Sequence, residues 1–378
     1  MKVAVVITFP RNPRQPHGGV EAVAVNLIPG LARLPELEIH VVSTHSDTTD
    51  LQEETWEGAS IHRLPARPQK MLSYATGEGR RQVQAYLHQL APDVVHAHDT
   101  YGIMVQGLKL PRVFTIHGFI HEDTRYGGSA SARLRSLLWK RVETAAWREQ
   151  PHIISISPYV RERLRGIASG SIHDIENPIA SECFDLLATL EKPIIFSAAM
   201  VCERKNTLGL IRAFHLLRQK GIPARLRLAG RITEPAYGQA IQDYLQEHHL
   251  TGEVDLLGAV SADQVRSELA GAAVFALVSF EEGAPMGLAE AMAAGLPVVT
   301  SNRCGMPYMV RHGETGFLVD PNDPEDVAAA FRALLTEASI RNQMGQQARR
   351  DAADRYHPDR VAERTLAVYR RAIARFQR

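Results

Sequence analysis

Cysteine, net charge and long apolar runs are all scarce in this sequence, and each shortage argues against a class of protein. The three cysteines, Cys183, Cys202 and Cys304, are isolated and odd in number, which disfavours a disulfide framework and indicates a reducing compartment. Forty-three basic residues against forty-two acidic ones leave a net charge of +1, so bulk nucleic-acid binding is not expected. No apolar run approaches the length that spans a bilayer. We therefore expect a cytoplasmic globular protein.

The length and the alternation of element types predict two domains of the α/β class. A chain of 378 residues is long enough for two cores. Segment 1–13 has a short apolar run that ends at Pro10, which predicts a core strand rather than a signal peptide. Apolar runs that predict buried strands alternate with helical segments, and they lie at 2–8, 38–44, 92–99, 112–117, 152–157, 194–196, 225–229, 254–257, 273–278 and 297–300. After Asp323 the sequence predicts helices alone, at 324–335, 340–354 and 358–376.

The stretch 281–301, EEGAPMGLAEAMAAGLPVVTS, lies between two predicted strands and completes one βαβ unit of a parallel sheet. Ligands of such sheets bind at the carboxyl ends of the strands, where Glu282 falls. Glu290 follows after seven intervening residues, on the predicted helix. A loop that curls back over the helix start can present both carboxylates to the hydroxyls of a nucleotide-linked sugar, while amide groups face an anion. Two unrelated solvated acids are the alternative interpretation.

The same stretch carries a family resemblance. EGAPMGLAEAMAAGLPVVTS, followed by GMPYMVRHGETGFLVDPND, resembles the E-x7-E signature and downstream loop of the family 4 retaining glycosyltransferases of the GT-B fold. In that family the first Glu contacts the donor sugar and the second binds the ribose of the nucleotide, which by position implies Glu282 and Glu290. The resemblance also implies that the backbone around Gly283, Met286 and Gly287 borders the donor.

Three other segments resemble the same family in the same order. GGVEAVAVNLIPGL is similar to its first loop and helix, which implies that the backbone of Gly18 and Gly19 lies beside the donor phosphates and the acceptor. RVFTIHG is similar to the strand whose His-Gly pair borders the transferred sugar, which implies a site role for His117. FSAAMVCERKNT is similar to the first strand and loop of the C-terminal domain, which implies that Lys205 holds the diphosphate, with Arg204 as a second cation.

The sequence departs from the family pattern at three positions. Pro285 stands where many members have Gly, which removes one backbone donor. Tyr308 stands where an acid is usual. Ala199 stands where an Arg is usual, so one expected cation beside the diphosphate is missing, and Arg204 is the candidate replacement.

The resemblance implies a fold, an activity and a set of ligands. The fold is α/β with two doubly wound, Rossmann-like domains facing across a cleft, namely 1–180 with about 358–378 on the acceptor side and 190–357 on the nucleotide-sugar side. The last helix is implied to cross back to the first domain. The activity is retaining transfer of a sugar from a nucleotide diphosphate sugar, with a UDP or GDP sugar expected, to a glycan, lipid-linked or small-molecule acceptor. No cofactor is expected, and because no Asp-x-Asp motif occurs, we expect metal-independent transfer.

Two alternative functions remain open, as do two interpretations of one predicted helix. His96, His98 and His117, with His121 nearby, could ligate the metal of a hydrolase. The missing cation at Ala199 favours a nucleotide-sugar-binding protein without transferase activity. The predicted helix 131–148 is either a core-packed helix or a peripheral contact with the inner face of a membrane. Its apolar residues at helical spacing are Leu134, Leu137, Leu138, Val142 and Ala145, and its basic ones are Arg133, Arg135, Lys140, Arg141 and Arg148.

Overall fold

The protein is described by a computed structural model that covers residues 1–67, 70–125 and 132–377. The chain divides into unit 1, Met1–Pro178 with Pro358–Arg378, and unit 2, Ile179–His357. Each unit contains one mainly parallel sheet, so the predicted α/β class with two Rossmann-like domains is confirmed. Within the described ranges, no helix combines the length and the apolar character needed to cross a membrane.

Unit 1 is built on an eight-stranded sheet with the order β3-β4-β2-β1-β5-β6-β7-β8. Its central strands are buried along their length because both sheet faces are covered. The edge strand β3 pairs antiparallel with β4, whereas the other neighbouring strands described in this sheet pair in parallel. The strands are β1 (Lys2–Val6), β2 (Glu38–His45), β3 (Gln52–Trp56), β4 (Ala59–Pro65), β5 (Val94–His98), β6 (Arg112–Ile116), β7 (His152–Ser155) and β8 (Ser171–Asp174).

The helices of unit 1 connect these strands. A Ser157 hydroxyl accepts from the Val160 amide at one helix start, where Pro158 occupies the first turn, so local sequence sets that boundary. The helices are α1 (Gly19–Ala32), α2 (Met71–Thr76), α3 (Glu78–Leu90), α4 (Thr100–Met104), α5 (Ile120–Arg125), α6 (Ala132–Glu149) and α7 (Pro158–Arg163).

Unit 2 is built on a six-stranded sheet with the order β11-β10-β9-β12-β13-β14, in which neighbouring strands pair in parallel. The strands are β9 (Ile194–Ala198), β10 (Arg225–Ala229), β11 (Val254–Gly258), β12 (Val274–Leu277), β13 (Val298–Ser301) and β14 (Gly316–Val319). The helices are α8 (Glu182–Asp185), α9 (Thr207–Gln219), α10 (Pro235–Glu247), α11 (Ala262–Gly271), α12 (Met286–Ala293), α13 (Pro324–Thr336) and α14 (Ala338–Tyr356).

The last helix, α15 (Pro358–Phe376), belongs to unit 1 and packs on α1. Tyr369 is fully buried, and its hydroxyl lies 2.7 Å from Nδ1 of His96 on β5. A Cβ at Gly30 on α1 would lie 2.8 Å from the carbonyl oxygen of Pro358, so glycine is needed for this close approach. The predicted return of the C-terminal helix to the N-terminal domain is therefore confirmed.

The strand order reverses at one point in each sheet. In unit 1 the chain extends outward in one direction from β1 and in the other from β5, and in unit 2 the same holds for β9 and β12. Loops that leave the carboxyl ends of two such neighbouring strands diverge to opposite faces, and the crevice between them is where open α/β sheets bind ligands. The loops after β9 and β12 carry most of the predicted site residues of unit 2.

Candidate functional site

In unit 2, two loops that are distant in sequence are tied together at the β9–β12 switch point. The amide of Phe280, after β12, donates to the carbonyl of Arg204, in the short 3-10 helix Glu203–Lys205 after β9, at 2.9 Å. The buried side chain of Asn206 donates to the carbonyls of Val278 at 3.2 Å and Pro321 at 2.7 Å. These bonds fix the position of the cationic pair relative to the acidic loop.

Asn206 precedes α9 but does not cap it with its side chain. Its backbone is left-handed, with φ 54°, a conformation that asparagine tolerates better than most residues. The Leu208 amide in the first turn is satisfied instead by the hydroxyl of Tyr237 at 2.8 Å. Asn206 thus joins two loops rather than capping the helix.

Arg204, Lys205 and Glu282 form one cluster at this point. Nζ of Lys205 forms an ion pair with Oε1 of Glu282. The Arg204 guanidinium donates to the same Oε1 at 3.3 Å and to the carbonyl of Glu281 at 2.8 Å. The side chains of Lys205 and Glu282 are only 13% and 11% exposed, whereas that of Arg204 is 32% exposed. We call these three residues the ion cluster.

The ion cluster changes the interpretation of its members. Sequence reasoning assigned the two cations to a diphosphate and Glu282 to a sugar, as separate contacts. In the structure both cations already bind the Glu282 carboxylate, which is an anion of the kind that they would bind in a phosphate. An anionic ligand at these cations must therefore compete with Glu282.

The loop that carries Glu282 is held by a close backbone approach. The amide of Gly305 donates to the carbonyl of Glu282 at 2.8 Å. A Cβ at Gly305 would lie 1.7 Å from the carbonyl oxygen of Gly283, so a larger residue would push the loop away. The role of Gly305 was not predicted from the sequence. The only sign of it there is the glycine itself, between Cys304 and Met306.

Helix α12 carries the remaining residues of unit 2 that were predicted to bind the nucleotide-sugar donor, and it brings them to the same strand ends. Met286 is its first residue and Pro285 precedes it, so the departure at Pro285 falls just outside the helix. A Cβ on Gly287 would lie 3.4 Å from the carbonyl of Ala198 at the end of β9, so the start of α12 lies against that strand end. Amides in this first turn have no partner within the helix.

Glu290 lies in the second turn of α12 and is half-buried. Burial raises the pKa of its carboxyl, and the positive charge of Arg266 opposes that effect. Its carboxylate takes no part in the ion cluster and, within the described residues, forms no ion pair. A desolvated acid without a protein partner suits a ligand that offers hydroxyl donors, as a ribose does.

Ala199, where a cation was expected, lies directly after β9. Its amide donates to the carbonyl of Ala229 at 2.9 Å, and a Cβ on Gly230 would lie 1.7 Å from its carbonyl oxygen. The backbone here is therefore closely packed between β9 and β10. Arg204 and Lys205 are the cations paired with Glu282 in the ion cluster.

In unit 1, Gly18 and Gly19 lie at the start of α1, as predicted. Gly18 has φ 93°, which favours glycine. A Cβ on either glycine would meet nothing within 4 Å, so open space adjoins both residues on the side where a side chain would lie. The carboxylate of Glu21 accepts from the His17 amide at 2.6 Å, one residue before them. This geometry leaves room for a ligand at the helix start.

The rings of His96, His98 and His117 lie next to each other at the ends of β5 and β6, where His96 and His98 are buried and His117 is half-buried. The His96 ring lies 2.7 Å from both Tyr369 Oη and Thr115 Oγ1. Nδ1 of His98 lies 2.8 Å from Nε2 of His117, and these two rings are stacked. Burial lowers the pKa of His96 to about 3 and lowers those of His98 and His117. The lowered pKa values favour the neutral form of all three rings, of which His98 and His117 hydrogen-bond each other.

Asp99 positions His117 and was missed by sequence reasoning. Its carboxylate accepts from the His117 amide at 2.9 Å, and its own amide donates to the carbonyl of Thr115 at 3.2 Å. Its φ is 46°, an uncommon conformation for a residue other than glycine. Burial raises the pKa of Asp99, while the nearby His117 lowers it. The signal in the sequence was an acid directly after the strand-end histidine.

The described ranges contain no set of metal ligands that would support the hydrolase interpretation. No group of three or more His, Cys, Asp or Glu side chains there could hold a metal ion. The facing nitrogens of His98 and His117 are used by each other, and His121 instead bonds the Glu143 carboxylate at 2.8 Å. His117 and His121 are therefore not a metal-binding pair.

Two family models match consecutive parts of the chain. The model described as Glycosyltransferase Family 4 matches residues 17–182, and the model described as Glycosyl transferases group 1 matches residues 181–351. A curated relative, an uncharacterised glycosyltransferase of Methanocaldococcus jannaschii, is 26% identical over 99% of both chains.

Solved structures share the fold over the whole chain. The sucrose-phosphate synthase of Thermosynechococcus elongatus superposes with a TM-score of 0.81 at 20% identity, over 99% of both chains. Anabaena HepE in complex with UDP and glucose superposes with a TM-score of 0.73 at 15% identity, over 98% of this chain and 100% of that chain.

Proposed function

The chain belongs to the family 4 glycosyltransferases of the GT-B fold, and we propose that it transfers a sugar from a nucleotide diphosphate sugar to an acceptor hydroxyl. The observation that carries the donor class is the ion cluster, because it places two cations at the switch point of unit 2. A leaving diphosphate develops negative charge, and fixed cations that face it stabilise the transition state.

The donor binds through unit 2. Its diphosphate takes the place of the Glu282 carboxylate on Lys205 and Arg204, and the released Glu282 contacts the donor sugar. Glu290 accepts hydrogen bonds from the ribose hydroxyls, and the backbone at Gly283, Met286 and Gly287 lines the same end of the sheet. A UDP or GDP sugar is the expected donor, and the complex of Anabaena HepE with UDP and glucose supports a UDP sugar.

In the reaction, the bond between the anomeric carbon and the diphosphate oxygen breaks, and a bond from that carbon to the acceptor oxygen forms. The proton of the acceptor hydroxyl leaves with the diphosphate, so charge and atoms balance. Among the residues that the structure describes, none can be assigned as a nucleophile opposite the leaving group, so we propose attack on the same face and retention of configuration. His117, in unit 1, is proposed to contact the transferred sugar, with Asp99 as its positioning residue and Gly18 and Gly19 beside the substrates.

Transfer is proposed to be independent of metal ions. Two cationic side chains and the amides at the start of α12 can neutralise a diphosphate without a divalent ion. The test is transfer in excess EDTA, which should proceed at the untreated rate. Loss of transfer that magnesium or manganese restores would refute metal independence without affecting the donor assignment.

A second candidate is a nucleotide-sugar-binding protein without transferase activity. Ala199 favours it, because the usual Arg is absent there. The two candidates differ in turnover rather than in binding.

Thermal-shift screening against UDP, GDP, ADP and their sugar conjugates tests the donor class, since a specific ligand raises the melting temperature by mass action. A transfer and hydrolysis assay with each binding donor then separates the two candidates. Binding with neither transfer nor hydrolysis across an acceptor panel would favour the non-catalytic one. Failure of every nucleotide to raise the melting temperature would refute both.

A further inference from the structure

Helix α6 exposes its apolar stripe instead of burying it. Leu134, Leu137 and Leu138 are 63%, 65% and 48% exposed, and they fall within five residues of each other. At 100° per residue these leucines share one side of the helix with three further residues. We call this set the α6 face: Leu134, Leu137, Leu138, Arg141, Ala145 and Arg148. The stripe that the sequence would place in a core lies at the surface.

The opposite side of α6 is anchored in unit 1. Trp139 and Trp147 are 7% and 4% exposed, and Ala146 is fully buried. The Glu143 carboxylate accepts from the amides of Ile120 at 2.9 Å and His121 at 3.0 Å, which ties α6 to α5. The exposed leucines are therefore presented by a packed helix with a fixed orientation.

The α6 face and its margins are strongly basic. Arg141 and Arg148 lie among the leucines, with Arg133 and Lys140 along one margin. Lys140, Arg141 and Arg148 form no ion pair with any residue in the described ranges. The exposed acid of this helix, Glu149, is held by Arg112 at 3.1 Å. Since the whole chain carries only +1, this concentration of positive charge is a local property.

The combination of exposed leucines and positive charge indicates which kind of partner the α6 face binds. A second copy of the chain would bring two basic faces together, and the like charges would repel. A bilayer with anionic headgroups accepts leucines at the acyl boundary and arginines and lysines at the phosphates at the same time. We propose that the α6 face docks on the surface of an anionic lipid bilayer. This goes beyond the transfer reaction and does not depend on it.

The test is sedimentation of the full chain with two kinds of vesicle. One contains equal parts phosphatidylglycerol and phosphatidylcholine, and the other contains phosphatidylcholine alone. We expect binding to the anionic vesicles, much weaker binding to the neutral ones, and loss of binding as salt is added. A chain that stays in the supernatant with anionic vesicles would overturn the proposal, and an acidic protein partner would become the better occupant.

One variant of the α6 face, a second that changes the face and its margin, and two control variants in unit 2 localise the contact. The triple change Leu134→Ser, Leu137→Ser and Leu138→Ser should weaken binding by roughly 100-fold or more, since three apolar side chains lose their burial. Lys140→Glu with Arg141→Glu should weaken it by at least roughly 10-fold. The controls, Leu187→Ser and Arg350→Glu, change an exposed leucine and an exposed arginine of unit 2.

The controls should bind anionic vesicles as the unchanged chain does. Equal binding by the α6 variants and the unchanged chain would overturn the proposal, as would equal loss in the controls. The changed positions are exposed, so melting temperatures should stay close to that of the unchanged chain. Nucleoside diphosphate binding should also be unchanged in every variant, which separates this test from that of the proposed function.

Discussion

Removal of the Glu282 carboxylate should make the protein bind nucleoside diphosphates more tightly, although Glu282 is proposed to contact the substrate. In the structure Glu282 occupies both cations that are proposed to hold the diphosphate. Glu282→Ala removes that competing anion. The same change should lower the rate of sugar transfer, because the proposed sugar contact is lost.

The size of the expected gain in affinity follows from the burial of the ion pair that is removed. The pair between Lys205 and Glu282 is nearly buried, and a hydrogen bond between charged groups in such a place contributes about 1.5–3 kcal/mol. The longer contact from the more exposed Arg204 adds less than about 1 kcal/mol. If the diphosphate must replace both contacts, their removal should tighten binding by roughly 10- to 100-fold.

Calorimetry with UDP and with GDP measures this change. The control is Glu203→Ala, which removes an equal charge beside the same cations from an exposed side chain. It should change affinity by less than about threefold, because exposed charges are screened. A melting scan checks that Glu282→Ala remains folded, since the change leaves Lys205 without its partner. Affinity that is unchanged or weaker in Glu282→Ala would show that the ion cluster is not the diphosphate site.

Further outcomes are expected for three substitutions and for one change of pH. Lys205→Ala should lower kcat/KM by roughly 10- to 100-fold in a steady-state transfer assay, and full activity would remove the phosphate assignment. Glu290→Gln should weaken nucleotide binding in calorimetry. Because burial raises the pKa of Glu290, the same change should raise the melting temperature at neutral pH, and this advantage should disappear as the pH falls through the raised pKa. Tyr369→Phe should reduce the free energy of unfolding by about 1–3 kcal/mol in urea, since the buried ring of His96 loses its partner, and no loss would contradict the bond. Because burial lowers the pKa of His96 from 6.5 to about 3, its contribution to stability is present above pH 6.5 and is lost as the pH falls, so the melting temperature should decrease on acidification.

The parallel core could be predicted from the sequence because buried strands and helices follow simple periodicities. The continuous apolar runs gave β1, β5, β6, β9, β10, β12 and β13 to within a few residues. Strands β3 and β8 were missed. They read QEETW and SIHD, lie at the edges of the sheet and are mostly exposed or half-buried, so no apolar face marks them. Strand β14 was missed as well, since its four residues are too few to show a period.

The identities of the candidate site residues could also be predicted, whereas their partners could not. The sequence places Glu282, Glu290, Lys205 and His117 at or after the ends of strands, because both the end of an apolar run and the polar residues that follow it can be recognised in the sequence. It does not show that Lys205 pairs with Glu282, since that contact requires β9 and β12 to be neighbours in the sheet. Nor does it show that Asp99 holds the His117 amide, which depends on the pairing of β5 with β6.

Helix α6 shows which properties are set by the sequence and which are set by the tertiary structure. The sequence by itself predicted a helix at 131–148 with leucines and cations at helical spacing, because helix propensity and hydrophobic periodicity are properties of the local sequence, and the structure places that helix at Ala132–Glu149. The tertiary structure alone decided that Trp139 and Trp147 face the core while Leu134, Leu137 and Leu138 face outward. The reason is physical: burial is set by what packs against a residue, and the side of α6 that meets α5 also satisfies the Glu143 carboxylate. A sequence specifies the two sides of a helix, and its neighbours in space choose which side is buried.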